Sequence, residues 1–293
     1  QTCALPILLA RSFQSGFRKI CSGSCRYASS FRSVTKGELG KDFEYQCQVE
    51  ENLNGEFVKI SPWHDIPTLA SPLVQRKPAV VNFIMEIPRG QSAKTEIATK
   101  IPFNPIKQDV KKGALRFYGA PSMINYGAVP QTWENPHKGE MTDVGKFKGD
   151  NDPLDIMDFS YIPHPIGEVY PVKVYGAIAL IDQGEMDWKL LGVNLNDPIA
   201  TQLRDYCDFF EHFHNDLDKM RHWLRTYKMV DGKGENMLAY NGIPFQETDA
   251  WEMVIEPNHQ EWEKLIKGES EKGELSLERS EERRVGKECR SRW

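Results

Sequence analysis

Two stretches, VYPVKVYGAIALID (169–182) and DWKLLGVNL (187–195), decide the fold of this chain. Both are rich in Val, Ile, Leu and Tyr, and AVVNFIMEI (79–87) and KTEIATK (94–100) have the same character. Runs of this composition, bounded by Pro and Gly, are typical of β-strands. No helix of ten or more residues separates these runs, which favours an antiparallel barrel or sandwich over a parallel sheet.

Helical signals come in the second half of the chain. Asp197 as a cap and Pro198 at the first helical position predict a helix over residues 197–228. Its expected apolar stripe consists of Leu203, Cys207, Phe210, Leu217 and Leu224. A shorter helix is predicted from Asn258, which can cap it, to Gly268, which can end it. The predicted fold is therefore mainly β with flanking helices (α+β), a small antiparallel barrel with helices outside it.

Composition is that of an ordinary globular protein. The 293 residues are 40% hydrophobic and 27% charged, which allows a sizeable core. The formal net charge of −5 argues against binding to nucleic acid or to a membrane surface, and no apolar run reaches about 18 residues. Without repeats or low-complexity linkers, residues 38–268 are interpreted as one catalytic domain.

The cysteines give neither a zinc motif nor a disulfide framework. No C-x-x-C pair occurs, which favours free thiols in a reducing compartment. The six are Cys3, Cys21, Cys25, Cys47, Cys207 and Cys289.

Both ends of the chain are expected to lie outside the domain. Residues 1–7 (QTCALPI) and 279–293 (RSEERRVGKECRSRW) fit no structural pattern and resemble translated sequencing adapters, so they are interpreted as assembly artefacts. Residues 8–37 are rich in Arg and Ser and contain no acid, which is typical of an organellar transit peptide. We therefore expect a mitochondrial matrix location, with the cytoplasm as the alternative, and a disordered tail over 269–293.

The acidic run GDNDPLDIMD (149–158) is the first functional signal. An EF-hand is excluded because Asp155 stands where the loop requires its sixth-position Gly. On a strand, Asp150 and Asp152 would share a face, and a turn at Pro153 could return Asp155 towards them. Three converging carboxylates would bind a hard cation such as Mg²⁺, Mn²⁺ or Ca²⁺. The alternative is a solvated acidic loop.

Further charged residues follow the same alternation. Asp187 and Lys189 share a face of their predicted strand, while Trp188 points towards the core. The other charged candidates are Glu86, Lys94, Glu96, Arg116, Asp182 and Lys228. Metal-binding acids interleaved with Lys and Arg donors suit a phosphate chain, which suggests metal-assisted phosphoryl transfer to water.

Together these motifs resemble, in order, those of the soluble family I inorganic pyrophosphatases, eukaryotic type, and the leader favours the mitochondrial form. The likeness runs from about residue 55 to 266 through EIPR, NPIKQDVKKGALRF, NYGAVPQTWENP, GDNDPLD, ALIDQGEMDWK and YKMVDGKGEN. It implies an OB-like five-stranded β-barrel with flanking helices, usually in a homodimer. It also implies an inorganic diphosphatase that hydrolyses pyrophosphate to two phosphates with metal-activated water, using several Mg²⁺ ions or Mn²⁺ as a substitute.

The resemblance further implies roles for individual residues. Asp152 matches the carboxylate that holds the attacking water and takes its proton. The residues that match metal ligands are Asp150, Asp155 and Asp187 for the central ions, Asp182 for a further ion, and the outer acids Glu86 and Glu96. Those that match phosphate contacts are Lys94, Arg116, Tyr126, Lys189, Tyr227 and Lys228. Lys94, Arg116 and Tyr126 are grouped with Asp152 as catalytic.

The chain departs from the family pattern at three places. The loop over residues 117–125 is shorter, and Ser122 stands where relatives carry a second tyrosine. Gly234 replaces a Pro, which should loosen its turn. Asp158 replaces a Glu, and we expect no catalytic effect.

Two other classes of function remain open at this point. A non-catalytic relative that binds metal or phosphate as a partner subunit would be consistent with the shortened loop. An oligonucleotide-binding barrel is disfavoured because its surface would require basic residues among exposed aromatics, whereas acids dominate here.

Overall fold

A computed structural model describes residues 30–71 and 79–280. The described residues do not include residues 1–7, the greater part of the predicted transit peptide, or residues 281–293. The strands are β1 Phe31–Lys36, β2 Gln46–Leu53, β3 Glu56–Lys59, β4 Val80–Ile87, β5 Thr95–Ile97, β6 Ile106–Gln108, β7 Val110–Lys111, β8 Ala114–Leu115, β9 Asn125–Ala128, β10 Gly139–Thr142, β11 Gly145–Gly149, β12 Asp155–Asp158, β13 Val169–Asp182, β14 Glu185–Asn194, β15 Met237–Leu238 and β16 Phe245–Gln246. The α-helices are α1 Pro62–Asp65, α2 Tyr206–Thr226, α3 Glu247–Asp249 and α4 Glu256–Lys267.

Five strands close into a barrel, in the order β14–β12–β9–β4–β13 and back to β14. The hairpin of β13 and β14 contains its two longest strands, and β13 coincides with the predicted strand VYPVKVYGAIALID. Four of the five pairings are antiparallel, whereas β12 runs parallel to β14. The predicted five-stranded barrel is confirmed, and its description as antiparallel was wrong at this one seam.

The barrel is filled by apolar side chains that alternate along its strands. Val81, Phe83 and Met85 of β4 meet Trp188 and Leu190 of β14 in the interior, all of them buried. Burial of each such side chain contributes about 1.5–3 kcal/mol. The alternate positions face outwards, where polar residues can line a site.

Two groups of elements cover the barrel from outside. Helix α2 packs on one side through its buried residues, which are Phe209, Phe213, Leu217, Met220 and Leu224. A second sheet, β1–β2–β6–β5 with β3 on β2, packs on another side together with α4. None of the described helices is long and apolar enough to cross a membrane.

The predicted helix over 197–228 is divided in two. A 3₁₀-helix occupies Pro198–Gln202 with Asp197 as its cap, and α2 begins only after Asp205, which caps it. Lys173 and Tyr175 from β13 donate hydrogen bonds to the carbonyl oxygen of Leu203, which ends the first helix. These tertiary contacts are not visible in helix periodicity.

Two details of the predicted helices were also wrong. Cys207 and Phe210 are exposed, because the apolar stripe of α2 is shifted from the predicted positions. Helix α4 begins before Asn258, since α3 and a π-helical stretch, Ala250–Ile255, lead directly into it. Gly268 ends α4 in the left-handed conformation, as predicted.

Both boundaries of the folded domain lie further out than predicted. Strand β1 lies within the predicted transit peptide and pairs with β2, and its Arg32 bonds to Glu50 at 2.7 Å. At the other end, residues 269–280 are packed rather than disordered. Leu275 is buried, and the Ser276 amide donates to the Thr99 carbonyl oxygen at 2.9 Å.

Candidate active site

The acidic run forms a tight turn. Asn151 has a left-handed φ of 77°, and its side chain accepts a hydrogen bond from the indole N–H of Trp133 at 3.0 Å. The Asp152 amide donates to Oδ1 of Asp150 at 3.0 Å. Asp150 and Asp152 therefore converge through a turn and not, as predicted, through a shared strand face. Asp155 follows as the first residue of β12.

A cavity of about 210 Å³ lies beside this turn, and all thirteen residues singled out from the sequence line it. The barrel and its connections supply Glu86, Tyr126, Asp150, Asp152, Asp155, Asp182, Asp187 and Lys189. The second sheet and the segment after β8 supply Lys94, Glu96 and Arg116, and the chain beyond α2 supplies Tyr227 and Lys228.

Lys189 is the central base of the cavity. It is 3% exposed and forms ion pairs with both Asp155 and Asp187. The Tyr126 hydroxyl donates to Oδ2 of Asp155 at 2.5 Å. Trp188 packs inside the barrel, which confirms that Asp187 and Lys189 share the opposite face. Burial raises the pKa of Asp187 to about 7, even though Lys189 lowers it.

Lys94 and Arg116 form a second basic group. Lys94 contacts Glu96 at 2.5 Å, and Nη1 of Arg116 donates to Asp109 at 2.9 Å. Although burial acts to lower it, the pKa of Lys94 is raised, chiefly by the charge of Glu96. Lys94 is therefore a permanently charged donor at neutral pH.

A third group stands at the end of β13. Asp182 accepts a hydrogen bond from the Tyr227 hydroxyl at 2.7 Å and forms an ion pair with Lys228. The segment that follows α2 is thereby tied to the barrel at the cavity.

Asp152 lies at the mouth of the cavity, where its side chain reaches solvent. Desolvation by the surrounding protein atoms is the largest cause that raises the pKa of Asp152 to about 7, and the charge of Glu96 is the next. A carboxylate with such a pKa is suited to accept a proton near neutral pH.

Glu134 is a functional candidate that the sequence analysis missed. It is 2% exposed, and its Oε1 accepts the Trp188 amide at 2.9 Å. Its Oε2 is buried and has no hydrogen-bond partner among the described residues. One oxygen each of Glu134, Asp150 and Asp187 lie within 4.8 Å of one another. A Cβ on Gly149 would lie 2.3 Å from the carbonyl carbon of Glu134, so this close approach requires glycine.

The balance of charge in and beside the cavity is suited to a cation. Eight of its lining residues are acids and four are bases. Burial, and then the charge of Asp187, raise the pKa of Asp150 well above its usual range, and Glu134 is raised likewise, by burial and then by Asp150. Crowded oxygen donors, one of them a buried atom without a partner, fit a hard divalent metal ion. Glu185, Thr95 and Tyr118 also line the cavity and were not predicted.

The closed barrel and this cavity define a protein whose candidate site places acids that could hold a metal ion beside several bases. The chain belongs to the inorganic pyrophosphatase family, since the family model described as inorganic pyrophosphatase matches residues 83–263. This finding confirms the family and the class of enzyme that the sequence resemblance predicted.

Individual relatives agree with this assignment. The soluble inorganic pyrophosphatase 6, chloroplastic, of Arabidopsis thaliana is 42% identical over 226 residues, which cover 77% of this chain and 72% of the relative. The inorganic pyrophosphatase of Emericella nidulans is 40% identical over 253 residues, which cover 85% of each chain.

Solved structures of relatives have the same fold. An N-terminal domain truncated vacuolar soluble pyrophosphatase of Trypanosoma cruzi in complex with PPi superposes with a TM-score of 0.74 at 36% identity, covering 91% of this chain and all of that one. The recombinant inorganic pyrophosphatase of T. brucei brucei gives a TM-score of 0.76 at 37% identity, covering 84% and 72%. These matches confirm the predicted OB-like barrel.

Proposed function

We propose that the cavity is the catalytic centre at which this family member hydrolyses inorganic pyrophosphate to two phosphates, with Mg²⁺ as its metal and Mn²⁺ as a possible substitute. The observation that carries the proposal is the convergence of thirteen sequence-predicted residues on one cavity in which acids outnumber bases. When bound, Mg²⁺ lowers the pKa of its water and withdraws charge from phosphate oxygens.

The acids divide by position. Asp150, Asp155 and Asp187 line the cavity and would hold the central ions. Glu134, close to Asp150 and Asp187, has an unpartnered oxygen, Oε2, that could add a ligand. The outlying acids that would hold or orient further ions are Asp182, Glu86 and Glu96. Glu86 is fixed in place, since its Oε1 accepts the Ile97 amide at 2.6 Å.

Asp152 takes the proton of the attacking water. It is the run's solvent-exposed acid, and a pKa of about 7 gives it both the unprotonated form and useful basicity near neutral pH. It does not form an ion pair with a base in the described part of the chain, unlike Asp155 and Asp187.

The bases bind the two phosphates. Lys94 stands just before β5, Arg116 just after β8 and Lys189 on β14, and Lys228 follows Tyr227 beyond α2, and all four line the cavity. Each is held by a neighbouring acid, which orients it before the substrate arrives. These donors stabilise the charge that develops on the leaving phosphate, and Tyr126 and Tyr227 add neutral O–H donors.

Phosphate release from pyrophosphate by the full chain, with Mg²⁺ and with EDTA, tests the proposal. We expect metal-dependent turnover that falls about 10²–10⁴-fold in Asp152→Asn. Glu211→Gln, which neutralises an exposed acid on α2 outside the cavity, is the matched control and should leave turnover unchanged. A folded protein that binds Mg²⁺ but releases no phosphate would overturn the proposal in favour of a binding subunit.

We also propose a homodimer in the mitochondrial matrix. The Arg- and Ser-rich leader supports the location, and the family resemblance supports the dimer. Residues 8–37 fused to a fluorescent protein should enter mitochondria, and cytosolic fluorescence would favour the alternative. Sedimentation velocity should give twice the chain mass, and a single-chain mass would contradict the dimer.

A further inference from the structure

Tyr118 faces the cavity beside two of the predicted phosphate ligands. Its amide donates to the Ser92 carbonyl oxygen at 2.7 Å, and the Lys94 amide donates to that of Arg116 at 3.1 Å. The segment therefore runs as an extended edge next to residues 92–94. Because side chains alternate in extended chain, Arg116 and Tyr118 project to the same side, and both line the cavity.

The ring of Tyr118 is fixed by aromatic neighbours. It packs edge-on against Trp223, with centroids 5.2 Å apart, and against Tyr227 at 6.0 Å. Trp223 and Tyr227 in turn stack on each other at 4.8 Å. Edge-to-face contacts of this kind hold a ring in one orientation.

The hydroxyl of Tyr118, by contrast, has no hydrogen-bond partner among the residues that the structure describes, whereas those of Tyr126 and Tyr227 donate to Asp155 and Asp182. Burial, and then Asp155, raise the pKa of Tyr118 to about 12 against the lowering effect of Lys94. The phenol is thus a neutral O–H donor at physiological pH, free to bond to an incoming oxygen.

Ser122, where the family resemblance implies a tyrosine, is not available for such a contact. Its hydroxyl donates to the Ile124 carbonyl oxygen at 2.7 Å, and it does not line the cavity. Position 122 therefore offers no donor to the cavity, whereas the phenol at position 118 is free to donate.

We propose that Tyr118 is a substrate-binding residue of this chain, which donates its phenolic hydrogen to a phosphate oxygen. The proposal rests on the proposed function, because it assigns Tyr118 to the same pyrophosphate site.

Tyr118→Phe tests the proposal because it keeps the ring and its aromatic contacts and removes only the hydroxyl. Loss of one hydrogen bond to a charged oxygen should raise the KM for pyrophosphate about 10-fold. It should weaken binding of inorganic phosphate in Mg²⁺, measured by calorimetry, by a similar factor, with the Tm unchanged. Tyr161→Phe removes the hydroxyl of an exposed tyrosine outside the cavity and should change neither value.

Unchanged KM and phosphate affinity in Tyr118→Phe would overturn the proposal. Trp223→Phe separates the hydroxyl from the packing, since it alters the ring contacts of Tyr118 and leaves the phenol. An equal loss of affinity in Trp223→Phe and Tyr118→Phe would assign Tyr118 a structural role and also overturn the proposal. Phosphate binding reports on Tyr118 even if the wild-type chain shows no turnover, so the two proposals can fail separately.

Discussion

Strand β12 carries an aspartate at each end, and the two have opposite surroundings. Asp158 is fully buried and accepts hydrogen bonds from five donor groups. These are the Asn125 side-chain amide, the Ser160 amide and hydroxyl, the Tyr170 hydroxyl and the Asn194 amide. Asp155 instead lies in the cavity, where it shares Lys189 with Asp187 and faces further acids.

The difference shows how one residue type can serve structure or chemistry. A buried carboxylate whose lone pairs are all occupied has no capacity left for a ligand, and it fixes the elements that donate to it. The negative charge of a carboxylate in an acid-rich cavity is poorly balanced until a cation binds. The predicted absence of a catalytic role for Asp158 agrees with its contacts, and its structural importance was not foreseen.

Neutralising Asp155 should have the largest effect on activity. Asp155→Asn removes a proposed metal ligand, and loss of even an outer partner of a metal ligand typically costs 10–100-fold. We therefore expect turnover to fall at least about 100-fold, with a Tm equal to or above that of the wild type because one of several repelling charges is gone. Steady-state phosphate release and thermal unfolding in EDTA check both parts. Wild-type turnover would contradict the assignment.

Asp158→Asn should have the opposite effects: it should lower stability and leave turnover almost unchanged. The substitution places an amide N–H₂ against groups that themselves donate, which leaves buried donors unsatisfied. The free energy of unfolding should fall by about 2–3 kcal/mol in urea denaturation. The kcat of the folded enzyme should stay close to wild type. A large loss of kcat with full stability would mean that Asp158 belongs to the site after all.

The cavity acids, unlike Asp158, should make the stability of the protein depend on pH and on Mg²⁺. The pKa values of Asp152 and Asp187 rise from 3.8 to about 7 on folding without metal. The folded chain therefore binds more protons than the unfolded chain between these values, and the contribution of these groups to stability is lost as the pH rises through about 7. Mg²⁺ neutralises the same charges, so the gain in Tm on replacing EDTA by Mg²⁺ should grow between pH 5 and pH 8.

Glu134→Gln is the matched variant for this experiment. It removes one buried acid with a raised pKa and keeps the acceptor for the Trp188 amide. The gain in Tm with Mg²⁺ should then depend less on pH. A gain that does not vary with pH in the wild type would show that the acids do not titrate in this range.

The sequence was sufficient for three of the five barrel strands, β4, β13 and β14, whereas β9 and β12 were not predicted. The thirteen proposed site residues came from charged positions and from the family resemblance, which alone supplied Tyr126 and Tyr227. Alternating apolar residues indicate strands, and charged residues at alternate positions indicate a shared face. The direction of strand pairing leaves no such pattern, so the parallel seam of β12 and β14 was missed.

Residues that act through tertiary contacts were also missed. Glu134 is a single acid in a loop, and only the fold brings it to Asp150 and Asp187. Tyr118 had a weak signal, since it stands two positions after Arg116 and so shares its side of an extended segment. The predicted transit peptide (8–37) and disordered tail (269–293) each included residues that belong to the folded domain. Composition does not show that β1 pairs with β2 or that Leu275 is buried.

The smallest effect is expected where a charged pair lies in water. Lys100 and Glu274 contact each other at 2.5 Å, but their side chains are 61% and 78% exposed. Solvent screens such pairs, so Lys100→Ala should lower the Tm by no more than about 1–2 °C. Leu275→Ala, next to the pair but buried, should lower it clearly more because it opens a cavity. If Lys100→Ala proved the more damaging, the segment over residues 269–280 would depend on charge rather than on apolar packing. Its exposed ion pair would then matter more than solvent screening allows.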